Sequence, residues 1–226
     1  MRLRASGLIT LVLVLSALAA SSASAAPAPP DDWHGSKTVM PSAYAWLNDY
    51  TPEVDYDLLV IRGLTAGQVR HRLGTVKRRL TDLTPSEAES WVDDHTDDRF
   101  YTAPAVAQVA RRGPAVIVYV PYWGQSDKTI KKLSRGGLAV HFTTTVELDT
   151  YLTVARRGTI VRWFDAGFRP PRNGALPEEE GLDWGARHQN IWATAWAFME
   201  RVSRIHISEE WFDLDHPTYV FRGTGP

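Results

Sequence analysis

Apolar positions along this chain recur with two periods, separated by stretches rich in Gly, Pro and Asp. Tyr56–Arg62 (YDLLVIR) is a nearly continuous apolar run that stops at Gly63, the pattern of a buried strand. Residues 106–110 and 115–120 are β-branched runs on either side of Arg111-Arg112-Gly113-Pro114, and 151–155 and 159–164 repeat the arrangement around Arg156-Arg157-Gly158. VARRG thus occurs at 109–113 and 154–158. The repeat is read as one hairpin turn used twice, because Gly accepts the positive φ such turns need. Leu138–Thr144 reads as a further strand.

Helical signals punctuate these runs. Thr65 with Gln68 makes a T-x-x-Q capping box before Val69 and Leu73, with Gly74 as the stop. Thr84-Pro85-Ser86-Glu87 combines an N-cap, a first-turn proline and a capping carboxylate, and Ala88, Trp91 and Val92 supply its apolar side. A short helix is expected over 42–49, and another over 126–133 closed by Gly136-Gly137. Residues 186–205 form the longest helical pattern, with Ile191, Ala195, Phe198 and Val202 on one stripe. Ser208 should cap a last short helix beginning EEW, giving a terminal helix pair. The expected fold is α+β: a mostly antiparallel sheet with helices packed on one face and a long C-terminal helix.

The first residues follow a different logic. Arg2 and Arg4 precede an uncharged apolar stretch at 7–20, and Ala23-Ser24-Ala25 has the small alternate residues that a signal peptidase accepts. Residues 1–25 therefore read as a signal peptide cleaved after Ala25 or Ala26, 26–41 as a linker or mobile arm, and 42–226 as a single α+β domain. The strongly apolar part is about 14 residues, short of the ~20 of a spanning helix, so no stable span is expected after cleavage. The expected location is secreted or extracellular.

Composition narrows the chemistry. The chain has no cysteine, which excludes disulfides, thiol nucleophiles, cysteine-ligated zinc and a lipid anchor on that residue. Loss of Arg2 and Arg4 with the leader leaves 23 of 25 basic residues against 26 acidic, a net charge of −3. Such a balance offers no general attraction for nucleic acid, and none is expected as a partner.

The ordered set AYAWLND, LLVIRGL with RHRLG, VIVYVPYWGQS, LSRGG and ARRGTIVRWFD resembles an actinobacterial domain-of-unknown-function family, the one numbered 6461. The resemblance runs from about Ala43 to Trp211 and implies a shared fold, without an activity or a catalytic residue to carry over. Relative to that pattern the chain adds the export leader and an acidic stretch over 87–98.

Candidate chemistry is sparse. No phosphate-loop, H-E-x-x-H, G-x-S-x-G or EF-hand pattern occurs, and no cofactor or metal is expected. Asp93, Asp94, His95, Asp97 and Asp98 could offer oxygen ligands to Ca²⁺, but lack the spacing and turn glycine of a calcium loop, and read as solvated surface. His206 with Glu209 and Glu210 could serve as acid and base, but the two carboxylates also suit the first turn of the capped helix. Of nine tryptophans, Trp46, Trp91, Trp192 and Trp196 fall on apolar helix faces, whereas Trp33, Trp123 and Trp184 are expected to be exposed. Trp123 precedes a helix bearing Lys128, Lys131, Lys132 and Arg135, so aromatics beside cations could take an anionic ligand. Arg70, Arg72, Lys77, Arg78 and Arg79 form the densest basic stretch.

The leading expectation is a secreted, non-catalytic ligand- or partner-binding domain. Its site would comprise Arg62, Trp123, Lys131 and Arg135, and its partner would be an envelope polymer or another exported protein. An exported hydrolase using His206 with Glu209 or Glu210, and an accessory or immunity-type protein, are the alternatives.

Overall fold

A computed structural model describes residues 34–48, 55–96, 103–122, 124–147, 149–184 and 191–224; residues 1–25, expected to be a leader, and 26–33, part of the expected arm, lie outside them. The strands are β1 (Tyr56–Arg62), β2 (Val76–Arg79), β3 (Pro104–Arg112), β4 (Ala115–Pro121), β5 (Leu138–Thr144), β6 (Thr150–Arg156), β7 (Thr159–Asp165) and β8 (Thr218–Thr224). The α-helices are α1 (Ala66–Leu73), α2 (Pro85–His95), α3 (Asp127–Ser134) and α4 (Ile191–Ser203), with 3-10 segments at Pro41–Asn48, Pro177–Glu179 and Glu209–Asp213. The strands form one sheet in the order β2-β8-β3-β4-β1-β5-β6-β7, every neighbouring pair antiparallel.

β1 lies in the middle, paired with β4 and β5, and β1 and β4 are apolar at almost every position. Such strands leave both faces of a sheet in need of cover. Tyr56, Leu58 and Val60 point into one core with Tyr119, Phe142 and the α4 residues Trp196 and Phe198. Leu59 and Ile61 point into another with Val116, Val118, Val69 of α1, and Ile130 and Leu133 of α3. α2 lies on the α4 side, where Tyr119 donates to Glu89. Helices on one face only are therefore corrected to helices on both.

The C-terminal expectation also changes. Of the helical pattern at 186–205, the described part is α4; residues 185–190 lie outside the described ones. After α4 the chain makes one 3-10 turn and returns as β8, which inserts between β2 and β3. A strand, not a helix pair, closes the described chain. Its partner β2 (VKRR) carries too little apolar character to read as a strand.

Local signals held elsewhere, except that the two VARRG segments make different turns, with Gly113-Pro114 as the loop of the β3–β4 hairpin and Arg157-Gly158 as that of the β6–β7 hairpin. Both threonine capping boxes form, at Thr65 with Gln68 and at Thr84 with Glu87. The β6–β7 turn places Arg157 and Gly158 at φ 50° and 88°, both positive as a two-residue type I′ hairpin requires. The glycines shared by LLVIRGL and LSRGG have a structural purpose. Gly63, at φ 86°, packs its backbone on that of Gly136, and a Cβ would collide with the Gly136 carbonyl. A Cβ on Gly137 would come within 2.6 Å of the Arg62 oxygen. The exit of β1 thus sits backbone against backbone on the α3–β5 turn, which glycine alone permits.

Candidate functional site

α1 and α3 lie side by side on the same face of the sheet, each anchored by a short apolar edge. Ser126 caps α3 by accepting from Thr129 N–H, while Ile130 and Leu133 turn inward. That leaves Lys128, Lys131, Lys132 and Arg135 exposed. The guanidinium of Arg72 donates to the Lys132 carbonyl at 2.9 Å, tying the last turn of α1 to the end of α3. Arg70 lies over the Tyr219 ring, 4.7 Å from its centroid, and donates to the phenol oxygen.

An open cleft of about 500 Å³ results, lined by Gly67, Arg70, His71, Gly74, Thr75, Val76 and Lys132. Among the described residues no carboxylate lies within ion-pair distance of Arg70, Arg72, Lys131, Lys132 or Arg135. Two basic segments sixty residues apart, Arg70 with Arg72 and Lys131 with Lys132, thereby become one cationic surface. Sequence reasoning saw both stretches but had no signal that they meet.

Of the expected site, Lys131 on α3 and Arg135 at its C-cap are exposed but do not line the cleft, and the Arg135 stem lies beside Gly158 of the β6–β7 turn. Arg62 does not join them. Its side chain leaves β1 toward the α4 face and donates to the Ser203 carbonyl at 3.0 Å, a cation at a helix C-terminus. Trp123 lies outside the described residues. The flanking junction is tied down by backbone bonds: Tyr122, at φ 58°, donates to the Asp55 carbonyl at 2.6 Å, and Gln125 N–H donates to Asp57 Oδ2 at 2.5 Å. Asp57 is 1% exposed and faces buried His141, whose Nε2 lies 3.0 Å from Oδ1 without hydrogen-bond alignment.

His206 has a different partner from the one its neighbours in sequence suggested. Its Nδ1 donates to Glu200 Oε2 at 2.8 Å, while Glu209 and Glu210 stay exposed. Glu200, on α4, is 3% exposed and also accepts from the Tyr44 hydroxyl at 2.6 Å and from Ser36 N–H at 2.6 Å. Burial pushes the Glu200 pKa up, but the bonds from His206, Tyr44 and Ser36 outweigh it and hold the carboxyl below its ordinary value. Burial and the adjacent carboxylate push the Tyr44 phenol strongly up, so it stays a donor. The signal for Glu200 was absent from sequence because it sits six residues before His206, across the end of a helix.

Other expectations are placed as follows. Asp93 and Asp94 are exposed, and His95 stacks on Trp91 with centroids 3.9 Å apart; Asp97 and Asp98 lie outside the described residues. Among the described residues no group of three or more His, Asp or Glu side chains could hold a metal ion. No helix among them is long and apolar enough to cross a membrane. Trp196 is buried, and Trp46, Trp91 and Trp192 are half-buried against the core. Trp184, expected outside, is also half-buried, edge-on to Phe164 and Phe198, while Trp33 lies outside the described residues. Among the described residues the exposed indole is Trp163.

A family model described as a family of unknown function (DUF6461) matches residues 37–216, and the chain belongs to that family. No curated protein and no solved structure matches the chain.

Proposed function

We propose that this family member is a non-catalytic binding domain, acting outside the cell, that holds an anionic ligand against the α1–α3 face. The carrying observation is the cationic cleft: Arg70 and Lys132 line one concavity, and Lys131 and Arg135 are exposed on the same helix as Lys132 and at its C-cap. Cations without a carboxylate partner keep their field available to a ligand, and a cleft with low-dielectric walls concentrates that field. The leader-like residues 1–25 make an anionic envelope polymer the fitting partner.

The hydrolytic alternative draws on His206 with Glu200 in place of Glu209 or Glu210. Glu200, however, accepts donors from three separate segments. A carboxylate so engaged braces the chain, and its stabilising role accounts for the pairing without a reaction. The binding reading therefore stands first.

Polyglycerol phosphate is a suitable probe. Titrated calorimetrically, it should bind the wild type with an affinity that falls as salt rises. Lys131→Glu with Lys132→Glu should weaken binding at least tenfold and flatten the salt dependence. Equal binding by the double variant would refute the assignment.

A further inference from the structure

β7 (TIVRWFD) has reversed polarity: Arg162 is 5% exposed and Trp163, its neighbour, 58% exposed. A bulge causes this. Regular pairing from the Arg156–Thr159 end would set Trp163 opposite Leu152, on the core side. Instead the register shifts between Val154 and Ala155, so that Arg162 pairs with Val154 and Trp163 with Thr153. The shifted register is locked by Arg162, which makes paired bonds to Glu179 at 2.7 and 2.8 Å and donates to the carbonyls of Pro171 and Asn173. Bulges are over-represented at sheet edges and next to active sites, where they re-aim a side chain. Here the side chain turned outward is the largest in the strand.

The indole is also held in place. Tyr151, on β6, lies nearly parallel to it, with planes 11° apart and centroids at 5.9 Å. Among the described residues β7 is the last strand of the sheet, with no strand beyond the other side of the indole, which is 58% exposed. Acidic groups border this aromatic pair. Asp149 and then Asp165 lie near enough to the Tyr151 phenol to push its pKa up, and Asp165 pairs with Tyr151 across the strands. Asp165 Oδ1 is oriented by the Gly167 N–H at 2.8 Å.

We infer that Trp163 and Tyr151 form a binding site for a pyranose ring, with Asp149 and Asp165 accepting hydrogen bonds from its hydroxyls. A sugar presents an apolar C–H face and a hydroxyl edge, which matches an open indole face with carboxylates beside it. A lipid chain would bury those carboxylates without donors. A second copy packed on the same patch would set carboxylate against carboxylate. A quaternary ammonium favours rings on several sides, whereas here one indole face is open. The platform belongs to β6 and β7 and does not depend on the cationic helices.

Saturation-transfer NMR with chitotetraose, cellotetraose and galactobiose tests the site. At least one should receive saturation from the wild-type protein on the protons of one ring face. Trp163→Ala should weaken that binding at least tenfold, Trp163→Phe should retain most of it, and Asp165→Asn should weaken it severalfold. No transfer to any of the three sugars would overturn the inference, as would undiminished binding by Trp163→Ala. Displacement of the sugar by tetramethylammonium, or a wild-type dimer in sedimentation that Trp163→Ala dissolves, would assign the patch to another occupant and overturn it equally.

Discussion

Replacing Glu200 by Gln removes one charge while keeping the side chain's shape, and the structure fixes what that charge holds. Three donors converge on it: Ser36 N–H on Oε1, and the Tyr44 hydroxyl and His206 Nδ1–H on Oε2. Hydrogen bonds to a charged group contribute about 1.5–3 kcal/mol each, against about 0.5–1.5 for neutral ones, so each retained bond loses about 1 kcal/mol. The amide NH₂ must also face at least one former donor, which costs about one further bond. The His206 bond counts at the low end, because that side chain is a quarter exposed. The expected destabilisation is about 2–4 kcal/mol near neutral pH.

The pH dependence gives the second half of the test. The folded pKa of Glu200 lies below its ordinary value of 4.5. Its contribution is therefore complete above the unfolded value and disappears as pH falls through the lower folded value. Urea unfolding followed by circular dichroism should show the gap between wild type and Glu200→Gln at pH 7 and its narrowing in acid below pH 4.5. A gap under about 0.5 kcal/mol at pH 7 would refute the bracing role, since that is the range of featureless surface changes. A gap that does not narrow in acid would refute the ionised state of the carboxyl.

Two further substitutions probe the frame around the cationic face. Gly63→Ala puts a Cβ into the Gly136 carbonyl at a positive φ, and should cost about 2–4 kcal/mol in urea unfolding by combining strain with overpacking; a loss below about 1 kcal/mol would show that the turn can yield. His141→Leu leaves the buried Asp57 Oδ1 without its facing group and should cost about 1–3 kcal/mol in urea unfolding, whereas Asp57→Leu with His141→Leu should cost less than the two single losses together. A loss in the double variant equal to the sum of the two single losses would mean that the pair is not coupled.

Local chemistry was legible in the residues themselves. Tyr56–Arg62 and Leu138–Thr144 are strands with the bounds their apolar runs imply, and the capping boxes at Thr65 and Thr84 close as their spacing requires. Each of these depends on neighbours within a few positions, where composition and period act directly. β2 and β8 escaped notice because an edge strand of VKRR is charged on both sides, and β8 is recognisable only by the partners between which it inserts. Helices cover both faces because β1 and β4 bury both sides, a consequence of their central place in the strand order.

The functional residues divide along the same line. Sequence by itself determined the basic character of α1 and α3 and the glycines of the β1 exit, since each is a property of contiguous residues. Only the tertiary structure decided that Arg72 meets Lys132, that Arg62 reaches the C-terminal end of α4, and that His206 answers to Glu200. It also decided the fate of Trp163. Strand alternation says that Trp163 and Phe164 face opposite ways, but the bulge at one ladder position and the anchoring of Arg162 choose which one sees water. Non-local pairing sets that choice, and no period along the chain encodes it.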